Sequence, residues 1–229
     1  MTIAENFEEI RRRIAEAARR AGRDPDSVRL VAVSKTKPAS AIAEARDACG
    51  QLIFGENYVQ ELVPKVKELS SDISWHFIGS LQSNKVRQIA GMVDLIHSVD
   101  RISLAREIDR QWGEIGKVCD ILVQVNIAQE ATKSGTSCEE LIDLVREIAQ
   151  LPNLRIKGLM TMPPFFDDPE AARPYFRRLK ELAGEIEGAA IPGVAMQELS
   201  MGMSGDFEAA IAEGATLVRV GSALFGSRG

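Results

Sequence analysis

Histidine and cysteine are both scarce in this chain of 229 residues. The two histidines, His76 and His97, do not cluster with carboxylates at ligand spacing, which argues against a catalytic metal. The three cysteines, Cys49, Cys119 and Cys138, are odd in number and have no CxxC spacing. They argue against a disulfide framework or a structural zinc site, and they fit a reducing compartment. No basic block is present either. Lys and Arg number 28 against 33 Asp and Glu, the net charge is −5, and the cations are spread along the chain. Nucleic acid is therefore not expected as a partner, although a small anion needs only a local site. No apolar run approaches membrane-spanning length, and residues 1–20 are charged and amphipathic, unlike a signal peptide. A cytoplasmic protein without membrane association is the expectation.

What is present is an ordinary globular composition, 45% hydrophobic and 27% charged, enough for a sizeable core. Ile3, Phe7, Ile10, Ile14, Ala17 and Ala21 recur at helical spacing and predict an N-terminal helix, stopped by Gly22 and Pro25. Leu30, Val31, Ala32 and Val33 then read as a strand buried on both faces. Further strands are predicted over 51–54, 75–78, 94–99, 118–127, 154–160, 195–200 and 216–220. Between them lie helical stretches at 40–48, up to about 69, 82–90, 102–112, 139–149, 169–187 and 207–213, and a short helix follows the last strand. Eight strand–helix alternations in a length near roughly 250 residues predict a single (β/α)8 barrel with an extra N-terminal helix. The rival, a doubly wound sheet, has a glycine fingerprint after its first strand; here Ser34-Lys35-Thr36-Lys37 stands there. With no linker or low-complexity tract, one domain over 1–229 is expected.

Ligands of such barrels bind at the carboxyl ends of the strands. The polar residues expected there are Lys35, Asn57, Ser80, Gln82, Asn84, Asn126, Thr161 and the runs 200–204 and 219–222. Val31, Val33 and Lys35 share one strand face, so Lys35 stands at the rim of a core. It either snorkels to water or serves as an amine able to attack a carbonyl. Two glycine–serine turns, around Ser204 and at Gly221-Ser222, follow the seventh and eighth strands, where phosphate sites of these barrels often lie. Either turn alone could be ordinary capping. Arg219, inside an apolar strand, pairs with a carboxylate such as Glu198 or donates to a ligand. His76 and His97 read as core histidines, Glu56 and Asn57 as possible helix caps, and Lys133 as a mobile surface lysine.

Five stretches carry a more specific signal. They are Val33-Ser34-Lys35-Thr36-Lys37-Pro38, Phe54-Gly55-Glu56-Asn57-Tyr58-Val59-Gln60-Glu61, the run from Trp75 to Lys85, Leu199-Ser200-Met201-Gly202-Met203-Ser204 and Val218-Arg219-Val220-Gly221. Together they resemble the pyridoxal phosphate homeostasis protein family over the whole chain. The resemblance implies a fold like the amino-terminal barrel of alanine racemase. It implies that Lys35 holds pyridoxal 5'-phosphate as a Schiff base. By the same carry-over, Ser204, Gly221 and Ser222 bind the phosphate, Arg219 faces the pyridine nitrogen, and Asn57, Ser200 and Met203 lie close by. Leu52-Ile53 is a minor departure from the family pattern.

The implied role is intracellular buffering and delivery of the cofactor, with apo enzymes that use it as recipients. An arginine at the ring nitrogen opposes its protonation and weakens the electron sink. Racemases of this fold draw a proton donor from a second domain, for which a chain ending at Gly229 has no room. A monomer with little or no turnover is therefore expected. Two rivals are a pyridoxal phosphate-dependent racemase, with Lys35 and His76 as bases, and a Schiff-base aldolase acting on a sugar phosphate.

Overall fold

The computed structural model describes residues 2–130 and 134–226. Helix α1 (Ile3–Arg20) opens with a capping box: the Thr2 hydroxyl accepts from the Glu5 N–H, and the Glu5 carboxylate accepts from the Thr2 N–H. Its apolar stripe, Phe7, Ile10, Ile14, Ala17 and Ala18, is buried. It packs against α2 and against the last two helices, so it covers the seam where the barrel closes.

The strands are β1 (Arg29–Val33), β2 (Ile53–Glu56), β3 (Ser74–Phe77), β4 (Leu95–Val99), β5 (Cys119–Gln124), β6 (Leu154–Met160), β7 (Glu198–Ser200) and β8 (Leu217–Val220). Between and after them run α2 (Ala39–Cys49), α3 (Val59–Glu68), α4 (Val86–Ile89), α5 (Ile102–Glu114), α6 (Leu141–Ile148), α7 (Arg173–Gly188), α8 (Phe207–Ala212) and α9 (Ser222–Phe225). All neighbouring strands are parallel, and β8 closes on β1 with Leu30 opposite Val218 and Val31 opposite Arg219. This is the expected (β/α)8 barrel with an extra N-terminal helix.

The alternation of side chains along each strand divides the core in two. Leu30 and Ala32 face the helices. Val31 faces inward and meets Leu95, Leu122, Met160 and Leu217 in an apolar plug on the barrel axis.

Four predicted elements come out differently, among them the strand expected over 195–200, of which only Glu198–Ser200 forms β7. The stretch 82–90 is a 3₁₀ turn (Ser83–Lys85) followed by one helical turn, α4. Pro169 starts a separate 3₁₀ turn, and α7 begins only at Arg173 with a proline in its first turn. Strand β5 stops at Gln124: the Asn126 N–H donates to the Thr136 carbonyl at 2.9 Å, and its side chain closes a turn on Glu130.

Candidate functional site

A cavity of about 570 Å³ opens at the carboxyl ends of the strands. Its wall includes Lys35 after β1, Asn57 after β2, Met203 and Ser204 after β7, Arg219 on β8, and Gly221 and Ser222 at the start of α9. Lys35 continues the inward face of Val31 and Val33, as strand alternation requires. Asn57 is held against the backbone of residue 79. A Cβ on Gly79 would come within 2.2 Å of the Asn57 carbonyl oxygen, so only glycine fits there. The buried Oδ1 of Asn57 has no hydrogen-bond partner among the described residues. Neither Glu56 nor Asn57 caps α3, whose first residue is preceded by Tyr58. Glu56 belongs to β2, is fully buried, and is ion-paired to Lys65 at 2.6 Å.

The two glycine–serine turns meet. Ser204 Oγ accepts from the Gly221 N–H at 3.4 Å, and the hydroxyls of Ser204 and Ser222 are 3.4 Å apart. A Cβ on Gly221 would lie 3.2 Å from the Val33 Cβ, so the β8–α9 turn approaches β1 as closely as glycine permits. Beside it, Asp206 accepts from the Met203 N–H at 2.6 Å, and burial pushes its carboxyl above the usual range.

Arg219 is only 3% exposed. Its Nη1 donates to the Ser200 hydroxyl at 2.5 Å and its Nη2 to the Thr161 carbonyl at 2.9 Å. Burial lowers its pKa to about 10, against the opposing pull of Asp206. The pairing with Glu198 expected from neighbouring strands does not form. Glu198 sits at the far end of β7, where it takes Arg29 and, at 2.7 Å, the Thr216 hydroxyl. Register decides this: β7 and β8 align Ser200 with Leu217, which leaves Glu198 below the level of Arg219.

Ser200 is fully buried and does not reach the cavity wall itself. Its hydroxyl lies 2.8 Å from Nδ1 of His97, whose Nε2 lies 3.0 Å from Nδ1 of His76. Both imidazoles are held neutral, chiefly by burial; His76 falls to about 3, and His97 is lowered further by the charges of Arg219 and Arg29. His76 is thus turned toward the barrel interior and is not a base facing the cavity.

The other polar residues gathered from the strand ends do not join. Ser80, Gln82 and Asn84 lie off the wall, and Asn126 is committed to Glu130. Lys133 lies outside the described residues. Lys37 is on the wall and donates to the Phe225 carbonyl at 3.0 Å. Sequence reasoning missed the segment after β6: Met162, Pro164, Phe165 and Phe166 line the mouth, with Phe165 87% exposed. The signal was an apolar run, Pro163-Pro164-Phe165-Phe166, where a solvated loop would be polar.

Residues 6–229 match the alanine racemase, N-terminal domain family. A pyridoxal phosphate homeostasis protein of Aquifex aeolicus is 46% identical over 229 residues, covering 100% of this chain and 99% of that protein. The chain belongs to the pyridoxal phosphate homeostasis protein family. A second member, from Pseudomonas aeruginosa, is 48% identical over 99% of this chain and 96% of its own. Among solved structures, PipY of Synechococcus elongatus with pyridoxal phosphate bound superposes with a TM-score of 0.86. It is 39% identical over 98% of this chain and all of its own.

Proposed function

We propose that this chain binds pyridoxal 5'-phosphate in the cavity at the strand ends, holds it on Lys35, and buffers and delivers it inside the cell. The observation that carries the reading is the wall itself. One cavity brings together a lysine amine, a pair of serine hydroxyls 3.4 Å apart and a buried guanidinium. When bound, pyridoxal phosphate supplies an aldehyde that condenses with a primary amine, releasing water, and a ring that withdraws electrons. Lys35 presents the amine. Ser204 and Ser222, with the Gly221 turn, offer donors to a phosphate. Arg219 offers a donor to the ring nitrogen, and Met203 lines the same wall. The unpartnered Oδ1 of Asn57 is an acceptor that a ring substituent satisfies. Ser200 acts from below by holding Arg219.

Delivery without turnover is the further reading. Among the described wall residues the titratable side chains are Lys35, Lys37, Asp206 and Arg219, with no histidine or tyrosine. Asp206 and Lys37 are engaged by backbone groups. A racemase needs a second proton donor across the ring, and none of these supplies it. A guanidinium at the ring nitrogen also disfavours its protonation. Apo enzymes that need the cofactor are the recipients in this reading, and the three free cysteines fit the cytoplasm.

The test is a visible spectrum of the protein mixed with pyridoxal phosphate. A coloured complex that Lys35→Ala abolishes supports binding on Lys35; colour that survives the substitution overturns it. Incubating the complex with amino acids in deuterated water should give no α-carbon exchange. Light scattering should return the mass of one chain.

A further inference from the structure

Lys35 sits between two backbone groups that are each held from α3. On one side, the Ser34 carbonyl accepts from Lys65 Nζ at 2.9 Å. On the other, the Thr36 N–H donates to the Glu61 carboxylate at 2.6 Å. The two grips are joined. Lys65 Nζ is 2.6 Å from Glu56 and 3.5 Å from Glu61, and the Ser34 hydroxyl donates to the same Glu56 oxygen at 2.7 Å. An ammonium has three N–H groups, and here three acceptors surround it.

The arrangement is costly. Glu56 is fully buried, its second oxygen has no partner among the described residues, and its pKa is raised by desolvation. An apolar pair of similar volume would often hold the fold as well. The backbone beside Lys35 is also unusual. Thr36 has φ +63°, a left-handed conformation that a β-branched residue seldom adopts. Such strain persists only where surrounding groups over-determine it. If Thr36 relaxed to extended backbone, the path of the chain at Lys35 would change and the side chain would be re-aimed.

We propose that Lys65, Glu56 and Glu61 form a positioning clamp that fixes the backbone on both sides of Lys35 and so presets its amine toward the cavity. None of the three lines the cavity, so they act through Lys35. The inference rests on the binding role proposed above.

Two variants and three readouts test it. Lys65→Met breaks the buried grip and Glu61→Ala the outer one, which is the safer variant for folding because Glu61 is partly exposed. Hydrogen exchange of ligand-free protein should speed up in the peptide covering residues 34–38. The Lys35-dependent colour should form about 10- to 100-fold more slowly, the cost of a small misplacement of a reacting group. Pyridoxine 5'-phosphate, which has the ring and phosphate but no aldehyde, should bind within about threefold of wild type, since its contacts do not include the amine's bond. Glu61→Gln, which keeps an acceptor for Thr36, should recover most of the rate. Unchanged exchange and colour in Glu61→Ala overturn the clamp. Equal loss of both ligands overturns it too, since that is general damage. If the wild type forms no Lys35-dependent colour, the binding role fails, and the exchange readout still decides the clamp.

Discussion

Arg219 Nη1 donates to Ser200 Oγ, and the serine O–H, with no other acceptor among the described hydrogen bonds, is directed to His97. A guanidinium only donates, so the serine oxygen accepts. The single serine O–H is then available to His97 Nδ1, 2.8 Å away. With the serine as donor, neutral His97 carries its proton on Nε2, which donates to His76 Nδ1 at 3.0 Å. His76 is in turn protonated on Nε2. The row runs one way, from the cavity wall into the barrel.

The row makes stability depend on pH. Both histidines have folded pKa values below the unfolded value of about 6.5. The unfolded chain therefore takes up protons first, and stability is fully present above about pH 6.5 and falls below it. For His76 the fall continues toward about pH 3. Each histidine should contribute about 1.4 kcal/mol per pH unit. Glu56 and Asp206, raised by burial, act in the opposite sense at lower pH. The clean measurement is thus a difference: urea unfolding of wild type and His76→Asn between neutral pH and about 5. The variant should show a shallower slope, and equal slopes would mean that the imidazole is charged in the folded state.

Ser204→Ala and Ser222→Ala should each weaken pyridoxal 5'-phosphate binding by about 10- to 150-fold, the worth of one hydrogen bond to a charged group. Unphosphorylated pyridoxal should bind both variants as it binds wild type. Calorimetry with the two ligands separates these outcomes, and a parallel loss for both ligands would remove the hydroxyls from the phosphate.

Gly79→Ala should cost about 1–3 kcal/mol of stability, as overpacking does. The added methyl meets the Asn57 backbone, not a movable side-chain tip, at 2.2 Å and 2.7 Å. Asn57 must shift, so ligand affinity should fall along with the melting temperature. Normal affinity in a folded variant would show that Asn57 is not needed at the wall.

Phe165→Ala should leave the ligand-free protein within about 0.5 kcal/mol of wild type, because an exposed ring adds little to folding. The same ring lines the cavity mouth. Ligand should therefore raise the melting temperature less in the variant, by mass action through a weaker complex. An equal rise in both proteins would show that the ring does not cover the ligand.

The barrel was legible because its signals are local. Turn residues and short apolar runs mark eight strands, and the alternation of Val31, Val33 and Lys35 places the lysine at the cavity without further information. Partners set by closure and register were not legible. His76, His97 and Ser200 are distant in sequence and meet only inside the closed barrel. The choice between Glu198 and another partner for Arg219 stayed open because the adjoining strands were readable but not their stagger. Glu56 read as a cap because it precedes a helix; its burial depends on Lys65 reaching back across nine residues. The mouth segment around Phe165 has no periodicity to read.

The apolar plug beneath the cavity has a further consequence. Val31, Leu95, Leu122, Met160 and Leu217 block the barrel axis, so the chamber at Lys35 is a cul-de-sac and not a tunnel. A guest enters and departs past the same rim. In the delivery role proposed above, handover to another macromolecule happens at that doorway, or after an interval free in water; a recipient docked on the opposite end of the barrel would wait in vain.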